Sequence, residues 1–115
     1  MITSRKQLYE LLSSVFPTRE NGWGGSASMP TMPYMNYRFS GSDNKAADNR
    51  VKAKTAGFRI ELYSKTAEAE ADRAQLERAL DEAELFYDSD ESPLKEYGAV
   101  VSIYEISIYL KESEE

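Results

Sequence analysis

The stretch Gly22-Trp23-Gly24-Gly25-Ser26-Ala27 has the spacing G-x-G-x-x-A, with which a glycine-rich turn brings backbone N–H groups against a pyrophosphate. That chemistry needs a strand before the turn and a helix opening behind it. Here a predicted helix ending at Pro17 precedes the turn, and Pro30 and Pro33 leave no room for a useful helix after it, so no nucleotide site is read. Asp88-Ser89-Asp90-Glu91 opens like a calcium loop but lacks the turn glycine and the closing bidentate glutamate, and reads as a solvated loop. Asp43 and Asp48 flank a turn. As an acid/base pair they would need a pocket that separates their pKa values, whereas turn-forming aspartate needs none. The chain has no Cys and no His, which removes disulfides, thiol nucleophiles, Ser-His-Asp triads, Cys/His zinc sites and an imidazole base. No catalytic, metal or cofactor-binding residue is therefore assigned, and no cofactor is expected.

The elements that would have to position any site belong to one acidic domain. The chain has 115 residues, 14 Lys+Arg against 20 Asp+Glu, and a formal charge of −6. That length is expected to form a single core over residues 1–115. With a mean hydropathy of −0.61 and no apolar run near the roughly 20 residues a membrane helix needs, no membrane span is expected. Met1 to Phe16 lacks a signal-peptide pattern, because Glu10, Ser13 and Ser14 interrupt its apolar residues. Lys and Arg are scattered, which opposes specific nucleic-acid binding and suits repulsion from DNA.

Leu8, Leu11, Leu12 and Val15 recur at helical spacing, so Ser4 to Phe16 reads as a helix, with Ser4 and Gln7 in a capping-box pattern and Pro17 as the stop. Residues 17–33 read as a long flexible loop rich in Gly, Ser and Pro. Tyr34 to Ser40 alternates as a half-buried strand with Met35, Tyr37 and Phe39 on one side. A turn around Gly41 to Lys45 leaves room for an extra hairpin before an extended stretch that runs to Lys65. Its core portion is Phe58 to Tyr63, and a bulge is placed at Gly57. Ala67 to Tyr87 is the strongest predicted helix, with Leu76, Ala79, Leu80, Ala83 and Phe86 as its apolar stripe and Arg73–Glu77 and Arg78–Glu82 as exposed pairs. Asp88 to Glu96 reads as a polar loop, Tyr97 to Leu110 as a long final strand, and residues 111–115 as a frayed tail. Helix, strand, strand, helix, strand makes an α+β fold: a mostly antiparallel sheet with two helices packed on one face.

Two features point to contact with other molecules. The final strand is apolar on both sides. Val100, Tyr104, Ile106, Ile108 and Leu110 share one parity and Val101, Ile103 and Tyr109 the other. In a single sheet with helices on one face, Val101, Ile103 and Tyr109, with Tyr63 from the neighbouring strand, would form an exposed apolar patch of the kind that marks an interface. A bulge near Tyr104 that turns both sets inward is the other possibility. Trp23, Met29, Met32 and Met35 bring large adaptable side chains into or beside the 17–33 loop, suited to ordering against a partner, or else Trp23 folds back over the domain's own core.

Pro33-Tyr34-Met35-Asn36-Tyr37, Ala47-Asp48-Asn49, Ile60-Glu61-Leu62-Tyr63-Ser64-Lys65, the Glu77-x-x-Leu80 helix and Tyr104-Glu105-Ile106 stand in an order that resembles the tail-terminator, or tail-completion, proteins of long-tailed bacteriophages and prophages. The similarity spans roughly Pro33 to Leu110 and lies in order and spacing. Met32 stands where the family usually has a first proline, Ser64 where it has Thr, and the Trp23 loop is longer and richer in Gly. The resemblance implies a non-enzymatic homo-oligomer, commonly a hexameric ring, in the tail or neck of a virion made in the bacterial host cytoplasm. Its partners would be the tail-tube protein and the head connector, with DNA passing through the lumen. Trp23, Met29, Met32, Tyr63, Val101, Ile103 and Tyr109 are the candidate interface residues for that head–tail joining role. The alternative is an acidic DNA-mimic inhibitor of a DNA-handling enzyme, against which Arg73 and Arg78 interrupt the most acidic helix. A third reading, an enzyme working with carboxylates alone, needs two converging Asp or Glu in a pocket.

Overall fold

The structure, a computed structural model, describes residues 2–23, 30–42, 45–47 and 50–110, with the backbone alone at 42, 45–47 and 50–54. Ser4 is extended (φ −149°, ψ 159°), and its Oγ accepts the Gln7 N–H at 3.2 Å, which starts helix α1, Arg5–Val15. Gln7 reaches back in turn, but its Oε1 accepts from the N–H of Thr3 (2.7 Å), one residue further out than in the usual capping box. Phe16 is extended ahead of Pro17, as sterics at a pre-proline position favour, and the helix ends there. Leu8 and Leu12 are fully buried.

The chain then enters strand β1, Thr18–Glu20, so the segment 17–33 does not begin as the loop expected. β1 runs parallel to strand β2, Tyr34–Ser42, with Thr18 opposite Met35 and the Met35 N–H donating to the Pro17 carbonyl at 2.8 Å. Strand β3 (Lys45–Ala47) forms a hairpin with the first residues of strand β4 (Arg50–Lys65), the extra hairpin for which the sequence left room. β4 is the sheet's spine, antiparallel to β2 on one side and to strand β6, Ala99–Leu110, on the other. Strand β5, Tyr87–Leu94, closes the far edge, giving the order β1-β2-β4-β6-β5 with β3 on β4 alone. At about 3.3 Å per residue the 16 residues of β4 are about as long as the molecule's largest dimension, 52 Å. Every pairing except β1–β2 is antiparallel.

The bulge lies across from the expected position. Phe39 pairs with Phe58 and Gly41 with Gly57, so the extra residue is Ser40 in β2, and Gly57 itself continues an unbroken ladder with β6. A Cβ on Gly57 would approach Ser40 Oγ to 3.0 Å and the Gly41 carbonyl to 3.3 Å, which explains glycine opposite a bulge.

Helix α2 covers Ala69–Glu82, entered through a 3-10 turn at Thr66–Glu68, and is shorter than the predicted 67–87. Glu84 takes the left-handed conformation (φ 60°), and the Leu85 N–H donates to the Leu80 carbonyl at 3.0 Å, a Schellman-type stop. This turn feeds Tyr87 into β5 and throws Phe86, expected on the apolar stripe, into solvent. The predicted loop 88–96 is mostly β5. It reads polar because an edge strand with six exposed residues needs no apolar alternation, and Pro93 is tolerated where no further strand requires its N–H.

Leu8 and Leu12 of α1, Leu76 and Leu80 of α2, and Met35, Tyr37, Phe58, Ile60, Leu62, Tyr104, Ile106 and Ile108 of the sheet form one buried cluster. The sheet residues in it share one face by register, so both helices pack on the same side and the fold is α+β with a mostly antiparallel sheet. Tyr104 is completely buried, and its hydroxyl donates to Glu77 Oε2 at 2.7 Å. Glu77 is thereby drawn inward, and Arg73 pairs instead with Glu91 of β5 at 3.1 Å. The exposed pairs expected along α2, Arg73–Glu77 and Arg78–Glu82, are not among the ion pairs of the described residues.

Candidate interaction surface

The sheet face turned away from the helices is built by alternation. Register places Tyr34 opposite Tyr63 and Tyr63 opposite Val101, then Asn36, Glu61 and Ile103, then Arg38, Arg59 and Glu105. β5 adds Ser92, Asp90 and Asp88 to the same three rows. Three zones follow one another along the strands.

The first zone is aromatic. Tyr34 and Tyr63 stack at 5.1 Å, Trp23 meets Tyr34 edge-on at 6.0 Å, and the Arg19 guanidinium lies 5.1 Å from the Trp23 ring. The Trp23 indole N–H donates to the Met35 carbonyl at 3.1 Å. Trp23 thus folds back on the domain's own β1–β2 edge, against Tyr34 on the helix-free face and not over the buried core cluster as one reading had it. Beside this stack opens an apolar cavity of about 490 Å³, lined by Met32, Tyr34, Tyr63, Leu94, Tyr97 and Ala99 with Lys65 at its rim. Burial holds the Tyr34 hydroxyl above its ordinary pKa. It does the same for Tyr63, helped by Glu61, whose Oε1 accepts from the Tyr63 hydroxyl at 3.3 Å.

The middle zone is charged. Arg59 bridges Glu61 (3.1 Å) and Glu105 (3.2 Å), and the hydrogen bond it donates to Glu61 is the first cause that raises the guanidinium's pKa. The expected apolar patch is therefore split. Ile103 and Tyr63 are half-buried, Tyr109 is 58% exposed at the far end, and Val101, expected in the open, is only 8% exposed between its register neighbours Tyr63 and Ser92. No bulge near Tyr104 is responsible, since β6 pairs with β4 without a break from Ala99 to Leu110.

The third zone is a second concavity of about 510 Å³, where Tyr109, Thr55, Gly57 and Glu105 meet Phe86 and Asp88. Phe86 is 94% exposed.

Of the candidate interface residues, the structure brings Trp23, Met32, Tyr63 and Val101 to one end of the open face, puts Ile103 at its middle and Tyr109 at the other end. Met29 lies outside the described residues. The sequence reading missed Tyr34, which alternation puts on the side of the strand away from Met35, Tyr37 and Phe39 and which was not among the candidate interface residues. It also missed Leu94 and Tyr97, the two large apolar residues in the stretch read as a polar loop and the start of a strand.

Asp88 and Asp90 sit on an exposed edge strand, and among the described residues no three carboxylates gather to hold a metal. The pair Asp43 and Asp48 and the turn from Gly24 to Ala27 lie outside the described residues. The glycine-rich pattern does follow a strand, β1, contrary to expectation. The next described element after it is β2 and not a helix, so the second requirement for pyrophosphate binding is not met among the described residues. No protein-family model matches the chain, and no curated protein does.

Proposed function

We propose that this chain is a structural subunit of a long-tailed bacteriophage or prophage virion, a tail-terminator or head–tail joining protein. It assembles into a ring at the end of the tail tube and works by geometry without a catalytic step. The observation that carries this reading is the one-sided sheet. Both helices cover the same face, and the opposite face keeps an aromatic, partly hollow end for a neighbouring subunit. The described segments on which the resemblance rests fall on β2, β4, α2 and β6. A subunit of 13.0 kDa encloses a DNA-wide channel only by closing a repeated contact, and a net charge of −6 suits a bore through which DNA slides without sticking.

The alternative, an acidic mimic of DNA charge, draws less support. Arg5, Arg59 and Arg73 pair with Glu20, Glu61, Glu105 and Glu91, which breaks up the carboxylate arrays such a mimic would display. Size-exclusion chromatography with light scattering, on the protein alone and mixed with the tail-tube protein, tests the assembly reading. A closed oligomer of more than two copies is expected in at least one condition. A monomer in both would overturn it.

A further inference from the structure

We infer that the subunits of this assembly join head to tail through Phe86 of one copy, seated in the apolar cavity between Tyr34, Tyr63, Leu94 and Tyr97 of the next. The inference rests on the assembly reading above and names its contact.

Knob and hole are both on the page. Phe86 is 94% exposed, the most exposed large apolar side chain among the described residues. It is not on a loose end: the left-handed turn at Glu84 precedes it and β5 begins at the next residue, so the ring is presented on a fixed backbone. The cavity, about 490 Å³, is of a size that accepts one aromatic ring with part of its flanking chain, and it is lined by apolar groups. An exposed phenyl ring and an apolar hollow that the described residues leave open are two surfaces that each gain from removal from water.

Their placement excludes self-filling. Phe86 stands immediately before β5, and Leu94, at the other end of that strand, lines the cavity. At about 3.4 Å per residue the two are roughly 25 Å apart. Different surfaces on one chain that fit each other generate a heterologous contact, which repeats from copy to copy and closes when the rotation allows.

Charge supports the same partner. Glu84 and Asp88 flank Phe86, and neither joins an ion pair among the described residues. Lys65, exposed at the cavity rim, is likewise unpaired there. An incoming Phe86 therefore brings carboxylates toward a lysine that pairs with none among the described residues, which favours a second copy of this chain over a neutral apolar ligand.

The test uses the full chain in sedimentation analysis, alone and with the tail-tube protein. Phe86→Ala is expected to weaken self-association at least about tenfold, as loss of an aromatic anchor does, with an unchanged circular dichroism spectrum. Lys65→Glu and Asp88→Lys should each weaken it alone. Mixing these two variants should restore assembly, because in alternating copies the side chain at position 88 then meets an opposite charge at position 65 in both kinds of contact. A Phe86→Ala protein that assembles like the wild type, or a mixture no better than its components, overturns this contact and leaves the assembly reading standing. A wild-type species of only two copies overturns the head-to-tail arrangement. A wild-type protein that stays monomeric in both conditions overturns the contact and the assembly reading together.

Discussion

Among the described residues Tyr104 is the tyrosine with no exposure at all, and its hydroxyl is tied to Glu77 across the space between sheet and α2. Burial, and then the Glu77 carboxylate, push its pKa far above the ordinary 10.0; burial is also the first cause of the rise at Tyr34, Tyr37, Tyr63 and Tyr87. A tyrosine whose folded pKa is raised stays neutral in the native state while the unfolded chain ionises above 10.0. The stability from these five groups is thus complete below that value and lost as pH rises beyond it. Denaturant titrations are expected to show stability that is insensitive to tyrosine ionisation up to pH 10 and falls steeply above it. Tyr104→Phe should make that fall shallower while costing about 1.5 kcal/mol at neutral pH, the usual net worth of a hydrogen bond to a charged acceptor. An alkaline slope identical in the variant would show that another tyrosine dominates. None of this was legible in the sequence. Tyr104 was read as one of several apolar residues of like parity and Glu77 as half of a surface ion pair, because spacing along a helix says which side chains are neighbours but not which of them the sheet will draw inward.

At the level of elements, the reading succeeded where one face is buried and the period is clean. α1 with its Ser4 cap, β2, the core of β4 and β6 stand within a few residues of their expected bounds. It failed at the edges. β1 is only three residues long and β5 is almost wholly exposed, so neither carries the apolar alternation that marks a half-buried strand; their pairing partners, β2 and β6, decide them. The end of α2 failed for another reason. Ala, Glu and Leu favour continued helix through residue 87, and the stop is made by a glutamate in a conformation that glycine usually takes. That stop predicts its own improvement. Glu84→Gly removes the steric cost of a left-handed residue and a negative charge from the negative end of the helix dipole, two effects of the same sign. The variant should be more stable by about 1 kcal/mol in urea unfolding. Loss of stability would mean that Glu84 makes a compensating contact.

At the scale of the whole molecule, the open face of the sheet had the right residues assigned to it and the wrong exposure. Tyr63, Val101, Ile103 and Tyr109 do share the helix-free side. Sequence parity fixes the side but not the cover, and Val101 is closed off while Arg59, Glu61 and Glu105 cut the patch in two. This changes how the face should be tested. Val101→Asp would bury an unpaired carboxylate and is expected to cost several kcal/mol, so a loss of assembly in that variant would report only unfolding. Ile103 is the better probe, being half-buried and in register with Glu61 and Asp90. Aspartate there would stand among carboxylates, whereas lysine finds opposite charge on both sides. Ile103→Lys should therefore fold as the wild type does, with a thermal midpoint shifted by no more than a few degrees. Placed where a neighbouring subunit would cover it, the new ammonium group would lose its water, and light scattering should show the oligomer reduced to monomers. Undiminished assembly by a folded Ile103→Lys protein would move the subunit contact off the middle of this face and leave its two ends, the aromatic cavity and the Phe86 side, to provide it.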